Sequence, residues 1–130
     1  IVLREGSDLT IIACGIMVAM ALDAAEKLKS EGIAARVVNL HTIKPLDSEL
    51  IVKCAKETGA IVTAEEHSII GGLGGAVAEV LVENAPVPMV RVGLKDTFGE
   101  SGKPEELLVK YGLTADDLAV AARAVLKKKK

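Results

Sequence analysis

Short apolar runs alternate with amphipathic segments along the 130 residues, and this alternation limits the fold more than any other feature. Strands are predicted over 1–6, LTIIAC (9–14), ARVVNL (35–40), AIVTAE (60–65) and PMVRVGL (88–94). The near-continuous apolar run at 9–14 is typical of a strand buried on both faces. Because helical segments separate most of these strands, the sequence predicts a layered α/β fold with a mostly parallel sheet.

Capping residues and glycines predict where the helices begin and end. Apolar spacing indicates a helix from Ile16 to Glu31, which Gly32 closes. Asp47 is a good N-cap for a helix over 48–58, and Gly59 ends that helix. Further helices are predicted over 73–84, from Pro104 along PEELLVKYG, and from the capping box Thr114–Asp117 to about 127.

The stretch TAEEHSIIGGLGGAVAEVL (63–81) has the layout of a nucleotide-phosphate site: a strand, a polar turn, glycines and a helix. It fails the specific tests. Val77 stands where the third glycine of G-x-G-x-x-G belongs, and no acidic residue follows at the expected distance. Lys103 is followed by Pro104, so it is not a P-loop lysine. Two glutamates also precede the glycines, and they repel anions unless a metal intervenes.

The favoured interpretation of Gly71, Gly72, Gly74 and Gly75 is a tight junction. Glycines permit a sharp turn with positive φ and a close approach of two backbones. Glu66 and His67 are a possible acid–base pair, but neighbours on an extended segment point to opposite faces, so a direct pair needs a turn here. A structural histidine is therefore preferred.

Polar residues collect in the loops that follow the strands, which is where ligands bind in open α/β sheets. The loops carry Gly15, then His41, Thr42 and Lys44, then Glu65 to the glycines, then Lys95, Asp96, Ser101 and Lys103. No G-x-S-x-G nucleophile elbow occurs. Any chemistry is expected at this edge, yet no self-sufficient catalytic set is visible.

Charge and cysteine content exclude several functional classes. The net charge is −2, and it would be −6 without the four terminal lysines 127–130, which argues against a nucleic-acid partner. These lysines are interpreted as a solvated helix end rather than as an anion-binding patch. Cys14 and Cys54 lack Cys-x-x-Cys spacing, so no zinc site is expected. Both are expected to be reduced cysteines in a reducing compartment. No apolar run approaches the roughly 20 residues of a membrane span.

Four collinear blocks carry a family resemblance. REGSDLTIIACGIMVAMALDAAEKL, VVNLHTIKPLD, VTAEEHSIIGGLGGAVAEVL and SGKPEELLVKYGL resemble the C-terminal domain of transketolase and its thiamine diphosphate-dependent relatives, from Arg4 to about Leu126. The 1-deoxy-xylulose-5-phosphate synthases and the β subunits of 2-oxoacid dehydrogenases share some of these blocks and are the alternatives. The missing initiator methionine before Ile1 suggests one such domain over 1–130, within a longer chain.

The resemblance implies a three-layer α/β/α fold whose five-stranded sheet is mostly parallel, with the first strand, 1–4, antiparallel. It implies that other domains hold thiamine diphosphate and Mg²⁺, and that this chain supplies no catalytic, cofactor-binding or metal residue and is inactive alone. The expected parent is a cytoplasmic, homodimeric transketolase of the pentose phosphate pathway, with no nucleic-acid or membrane partner. The expected interface or channel-edge residues are Lys44, Glu66, His67, Gly71, Gly72, Gly74, Ser101 and Lys103. A stand-alone module that binds a small anion through Lys44, Lys95 and Lys103 remains the alternative.

Overall fold

Five strands and four helices form the described part of the chain in a computed structural model that covers residues 1–40, 46–68, 72–94 and 112–129. None of these helices is both long and apolar enough to cross a membrane. The strands are β1 (Val2–Arg4), β2 (Leu9–Ala13), β3 (Ala35–Asn39), β4 (Ile61–Ser68) and β5 (Met89–Leu94). The helices are α1 (Met17–Lys29), α2 (Ser48–Thr58), α3 (Leu73–Asn84) and α4 (Ala115–Lys128).

The strands form a single sheet in the order β1-β3-β2-β4-β5. β1 pairs with β3 in antiparallel fashion, while β2 pairs with β3 and β4, and β4 with β5, in parallel. Helices α1 and α4 pack on one face of the sheet, and α2 and α3 pack on the other. This arrangement confirms the three-layer α/β/α fold and the antiparallel first strand.

The core lies on both faces of the sheet because the central strands carry apolar side chains in both directions. All five residues of β2 are buried. Ile11 packs toward α1 and α4, and the next residue, Ile12, packs toward α2 and α3. Burying such a side chain contributes about 1.5–3 kcal/mol, so the continuous apolar run at 9–14 specifies a strand covered on both sides.

The predicted helix caps are confirmed where the structure describes them. Asp47 accepts a hydrogen bond from the Leu50 N–H at 3.1 Å, and Gly59 ends α2 with a φ of 73°. Gly32 has a φ of 78° and lies in the turn that ends α1. Thr114 and Asp117 form a capping box at the start of α4. The helix predicted from Pro104 falls outside the described residues.

The predicted end of β4 was wrong. The strand was expected over 60–65, followed by a polar turn, but it continues as extended backbone to Ser68. Ser68 pairs with Leu94 of β5 after a register shift that follows Ala64. The pairing with β5 supplies backbone hydrogen-bond partners beyond the apolar run, so the strand extends past its hydrophobic residues.

The terminal lysines only partly match the solvated helix end that was expected. Lys127 and Lys128 lie in the last turn of α4, where positive charge complements the helix dipole. Lys129 instead folds back and donates a hydrogen bond from Nζ to the backbone oxygen of Asp8 at 2.7 Å. Its Cε lies 3.1 Å from where a Cβ on Gly59 would stand, so Lys129 packs against the amino-terminal edge of the sheet.

Candidate functional site

The crevice at the carboxyl edge of the sheet lies between β2 and β4. The chain passes from β2 to β3 on one side and then crosses to β4 on the other, so the strand order reverses here. Ligands of open α/β sheets bind at such a point. Cys14 and Gly15 follow β2 on one side of this crevice, and Glu65 and Glu66 belong to β4 on the other.

Half of the predicted interface or channel-edge residues lie in the described parts of the chain: Glu66, His67, Gly72 and Gly74. Lys44, Gly71, Ser101 and Lys103 fall outside them, as do His41, Lys95 and Asp96. The backbone of His67 lies in β4, but its side chain is not among the described groups. The preference for a structural His67 over a Glu66–His67 acid–base pair therefore stays a prediction.

Glu65 closes the amino-terminal end of α3. Its side chain is only 1% exposed. One carboxylate oxygen accepts the N–H of Leu73 at 2.8 Å, and the other accepts the N–H of Gly74 at 2.7 Å. The first N–H groups of a helix have no partner within the helix and attract negative charge. Gly72, at the N-cap position, has no side chain to serve them, so the strand supplies the missing acceptor.

Glu66 lies on the opposite face of the sheet, because consecutive residues of a strand point in opposite directions. Its Oε1 would stand 2.8 Å from a Cβ placed on Gly15, just before α1 begins. Gly15 has a φ of 62°, which favours glycine, and its missing side chain also leaves room for this carboxylate. Adjacent glutamates of β4 thus lie near the amino-terminal ends of two helices, one on each face.

The glycine-rich segment differs from its predicted geometry. Positive φ was expected, but Gly72 is extended with a φ of −96°, and Gly74 and Gly75 belong to α3. The close approach exists at Gly74, where it involves side chains rather than a second backbone: a Cβ would stand 3.0 Å from Thr63 Oγ1 and 2.9 Å from Arg91 Cδ. Gly74 and Gly75 belong to the first turn of α3. Glu65 accepts N–H groups that this first turn leaves without partners inside the helix.

Cys14 is the thiol nearest to these carboxylates and is partly buried. Burial, and after it the negative charges of Glu65 and Glu66, raise the pKa of the Cys14 thiol. Raising this pKa disfavours the thiolate, which is the nucleophilic form of cysteine. The environment therefore keeps Cys14 in its unreactive protonated form at neutral pH.

The crevice does not suit the diphosphate of a thiamine cofactor. A diphosphate needs helix N–H donors or a bridging cation, but Glu65 already takes the first two donors of α3 and adds negative charge. Within residues 1–40, 46–68, 72–94 and 112–129, no three acidic, histidine or cysteine side chains are grouped to hold a metal.

The sequence analysis does not predict the capping role of Glu65, because Glu65 and Glu66 together resemble the start of a loop that repels anions. A signal for its role was present. The segment that begins α3 has glycine where Ser, Thr, Asp or Asn usually caps a helix. The missing cap at the start of α3, together with the glutamates of the preceding strand, is the pattern that indicates a carboxylate cap from β4.

The fold and crevice define a three-layer α/β/α domain in which a carboxylate from β4 caps a helix end that could otherwise bind an anion. The family model for "Transketolase, C-terminal domain" matches residues 1–118. The chain belongs to the transketolase C-terminal domain family, as the resemblance of its sequence blocks indicated.

Similar proteins include subunits and longer enzymes. The 6-deoxy-6-sulfo-D-fructose transketolase subunit SqwH of Clostridium sp. (strain MSTE9) is 56% identical over 127 residues, which are 98% of this chain and 39% of that protein. The 1-deoxy-D-xylulose-5-phosphate synthase of Heliobacterium modesticaldum is 49% identical over 93% of this chain and 19% of the synthase. This chain thus spans about two fifths of the subunit and a fifth of the synthase.

A solved structure described as "Split gene transketolase, inactive beta4 tetramer" is also similar. It superimposes with a TM-score of 0.96 at 59% sequence identity, over all of this chain and 43% of that chain. The similarity extends over the whole of this chain, so the fold described above is shared with that structure.

Proposed function

We propose that this chain is the C-terminal, non-cofactor-binding domain of a transketolase, and that it supports dimer assembly of the parent enzyme. The parent transfers a two-carbon ketol unit between sugar phosphates in the cytoplasm. Thiamine diphosphate and Mg²⁺ are held by the remaining domains or by a companion subunit. The isolated domain is inactive.

The observation that carries this proposal is the sealed crevice. Glu65 uses both carboxylate oxygens on the N–H groups of Leu73 and Gly74, so the usual ligand position of an α/β sheet is filled from within. A domain whose ligand position is filled this way serves a role other than cofactor binding. Assembly fits that role, and the words "inactive beta4 tetramer" for a 59% identical relative support both inactivity and self-association.

The names of the relatives support a split parent as well as a continuous one. SqwH is called a subunit, and the solved relative is called a split-gene product, whereas this chain spans a fifth of the synthase. We place residues 1–130 as one domain within a longer chain of either kind. Glu66, His67, Gly72 and Gly74 are proposed to lie at a domain or subunit contact or at the edge of the substrate channel, with Lys44, Gly71, Ser101 and Lys103.

A synthase parent is the second candidate, because the 49% identical relative is a 1-deoxy-D-xylulose-5-phosphate synthase. One experiment separates the two. The complete protein that the gene encodes is purified with its companion subunit, if it has one, and is loaded with thiamine diphosphate and Mg²⁺. It is then given a ketose phosphate donor and an aldose phosphate acceptor, and the sugar phosphates are resolved by mass spectrometry.

Products that differ from the substrates by two carbons, formed only with both cofactors, are the expected result. Formation of 1-deoxy-xylulose 5-phosphate from the reactants of the synthase would instead assign the second candidate. If the chain is instead a regulatory module that binds a small anion, neither product is expected. Calorimetry should then show submillimolar binding of phosphate, a sugar phosphate or a nucleotide.

A further inference from the structure

The side chain of Lys129 crosses the amino-terminal edge of the sheet. Helix α4 ends at Lys128, and Lys129 continues as extended backbone with a φ of −75° and a ψ of 133°. Its Nζ donates a hydrogen bond to the backbone oxygen of Asp8 at 2.7 Å, and its Cε and Cδ lie 3.1 and 3.9 Å from where a Cβ on Gly59 would stand. Because α2 and α4 cover opposite faces of the sheet, this one side chain joins both helical layers.

The two points that Lys129 contacts are each held by hydrogen bonds of their own. The N–H of Asp8 donates to the Ala34 oxygen at 2.9 Å, and Asp8 Oδ2 accepts the N–H of Ala34 at 2.7 Å. Gly59 ends α2 with a φ of 73°, and its N–H donates to the Ala55 oxygen at 2.9 Å. Lys129 therefore connects two anchored positions that belong to different parts of the chain.

The charge of Lys129 suits this position. Its Nζ lies 3.9 Å from the Cβ position of Gly59, beside the last turn of α2. The last carbonyl groups of a helix have no partner within the helix and carry partial negative charge, so a cation is favourable there. The backbone oxygen of Asp8 adds a further acceptor. The ammonium group is therefore held by carbonyl oxygens and by the dipole of the helix on the opposite layer.

A hollow beside Lys129 allows this contact to open. The hollow has a volume of about 380 Å³ and is lined by Gly59, Pro86, Val87, Pro88, Lys128 and Lys129. Because Lys129 forms part of the lining, its side chain can rotate away without moving a residue of either hydrophobic core cluster. Local openings of this kind cost much less free energy than global unfolding. The contact can therefore open and close while the core stays folded.

We propose that Lys129 is a strap that couples the ends of α2 and α4 across the amino-terminal edge of the sheet. With the strap closed, the last turn of each helix is held by a contact with the opposite layer. When the strap opens, both last turns loosen together and the hollow beside them widens. The strap is a conformational device of this chain itself, and it is independent of whether the parent is a transketolase or a synthase.

Native-state hydrogen exchange of the complete protein, followed by peptide mass spectrometry, tests this coupling. Lys129→Ala removes the strap and should accelerate exchange by roughly tenfold in the last turns of both α4 and α2, because a hydrogen bond from a charged group is lost. Lys128→Ala is the matched control. It removes the same charge from the neighbouring, exposed position and should leave exchange in the last turn of α2 unchanged.

A second variant displaces the strap from the opposite side. Asparagine also adopts the left-handed conformation, so Gly59→Asn keeps the end of α2 but places a Cβ 3.1 Å from Lys129 Cε. Exchange in the last turn of α4 should then accelerate, although the substitution lies on the other helical layer. Gly32→Asn is the matched control, because Gly32 has a φ of 78° and a Cβ there meets no atom within 4 Å. This control should leave exchange at the end of α4 unchanged.

The double variant separates a strap from two unrelated effects. Once Lys129→Ala has removed the strap, adding Gly59→Asn should cause no further acceleration at the end of α4. A Gly59→Asn effect on α4 that persists without the lysine side chain overturns the proposal. Unchanged exchange at the end of α2 in Lys129→Ala also overturns it, because Lys129 would then affect only its own helix.

Discussion

The carboxylate of Glu65 accepts the backbone N–H of Gly74 at 2.7 Å, across the junction between β4 and α3. The same carboxylate accepts the N–H of Leu73. Both contacts are buried, so water does not replace them readily. This pair of bonds ties β4 to the start of α3 and occupies two N–H groups that could otherwise bind another anion.

Replacing Glu65 should therefore lower the free energy of unfolding. Glu65→Ala leaves two buried N–H groups without acceptors and should cost about 2–4 kcal/mol, since each unsatisfied group costs about 1–3 kcal/mol. Glu65→Gln keeps one carbonyl oxygen as an acceptor but turns its NH2 donor toward the second backbone N–H, so it should recover little of this loss. Urea unfolding of the complete protein measures both. Glu66→Ala is the matched control, and an equal loss in that variant would contradict the special role of Glu65.

Gly74 and Gly75 should respond oppositely to alanine. Gly74→Ala places a methyl group 3.0 Å from the buried hydroxyl of Thr63, and such overpacking costs about 1–3 kcal/mol. Gly75→Ala meets open space and improves helix propensity by about 1 kcal/mol. Thermal unfolding of the two variants gives the comparison. A stabilising Gly74→Ala would mean that Thr63 and Arg91 do not confine this position.

The thiol of Cys14 should react slowly at neutral pH. Burial and the charges of Glu65 and Glu66 raise its pKa, so the thiolate becomes populated at a higher pH than in a free thiol. The rate of iodoacetamide alkylation, followed by mass spectrometry, should increase at a higher pH than for a free thiol. Glu66→Gln removes one of the charges and should shift this profile to lower pH. An unchanged profile would mean that burial and Glu65, rather than Glu66, raise this pKa.

The ion pair between Arg123 of α4 and Glu31, in the turn after α1, should add an acid-sensitive contribution to stability. Arg123 donates to both carboxylate oxygens of Glu31, at 2.9 and 2.6 Å, and these hydrogen bonds lower the pKa of Glu31. A carboxylate whose folded pKa is lowered stabilises the fold above its unfolded pKa, and this stabilisation is lost as pH falls through the folded pKa.

Comparing the unaltered protein with Glu31→Gln across that acidic range measures this contribution. The difference in unfolding free energy between the two proteins should shrink as pH decreases, and added salt should reduce it at neutral pH. A difference that stays constant with pH would show that Glu31 acts through packing rather than through its charge.

Most of the fold could be predicted because its signals are local. The apolar run at 9–14 specifies a strand buried on both faces, and Asp47, Gly59 and Thr114 mark helix ends by their own backbone and side-chain chemistry. The end of β4 could not be predicted in this way, because Ser68 continues the strand only through its pairing with Leu94 of β5. Glu65 is buried only because α3 returns to meet it, and that contact depends on the packing of the helix against the sheet.

The same limit applies to the strap formed by Lys129. The sequence shows Asp8, Gly59 and Lys129 in three distant segments, but it does not show that the end of α4 meets the start of β2 and the end of α2. The order of the parallel strands decides this placement. A contact built from three separate segments becomes visible only when the topology is known.

The internal cap of α3 also restricts how this domain can change through mutation. A sequence change that frees the N–H groups of Leu73 and Gly74 for an external anion first removes the carboxylate that holds the helix in place. Descendants of this domain would have to lose stability before they gained a ligand. Selection therefore favours retaining Glu65, and new binding functions are expected to arise on the helical surfaces instead.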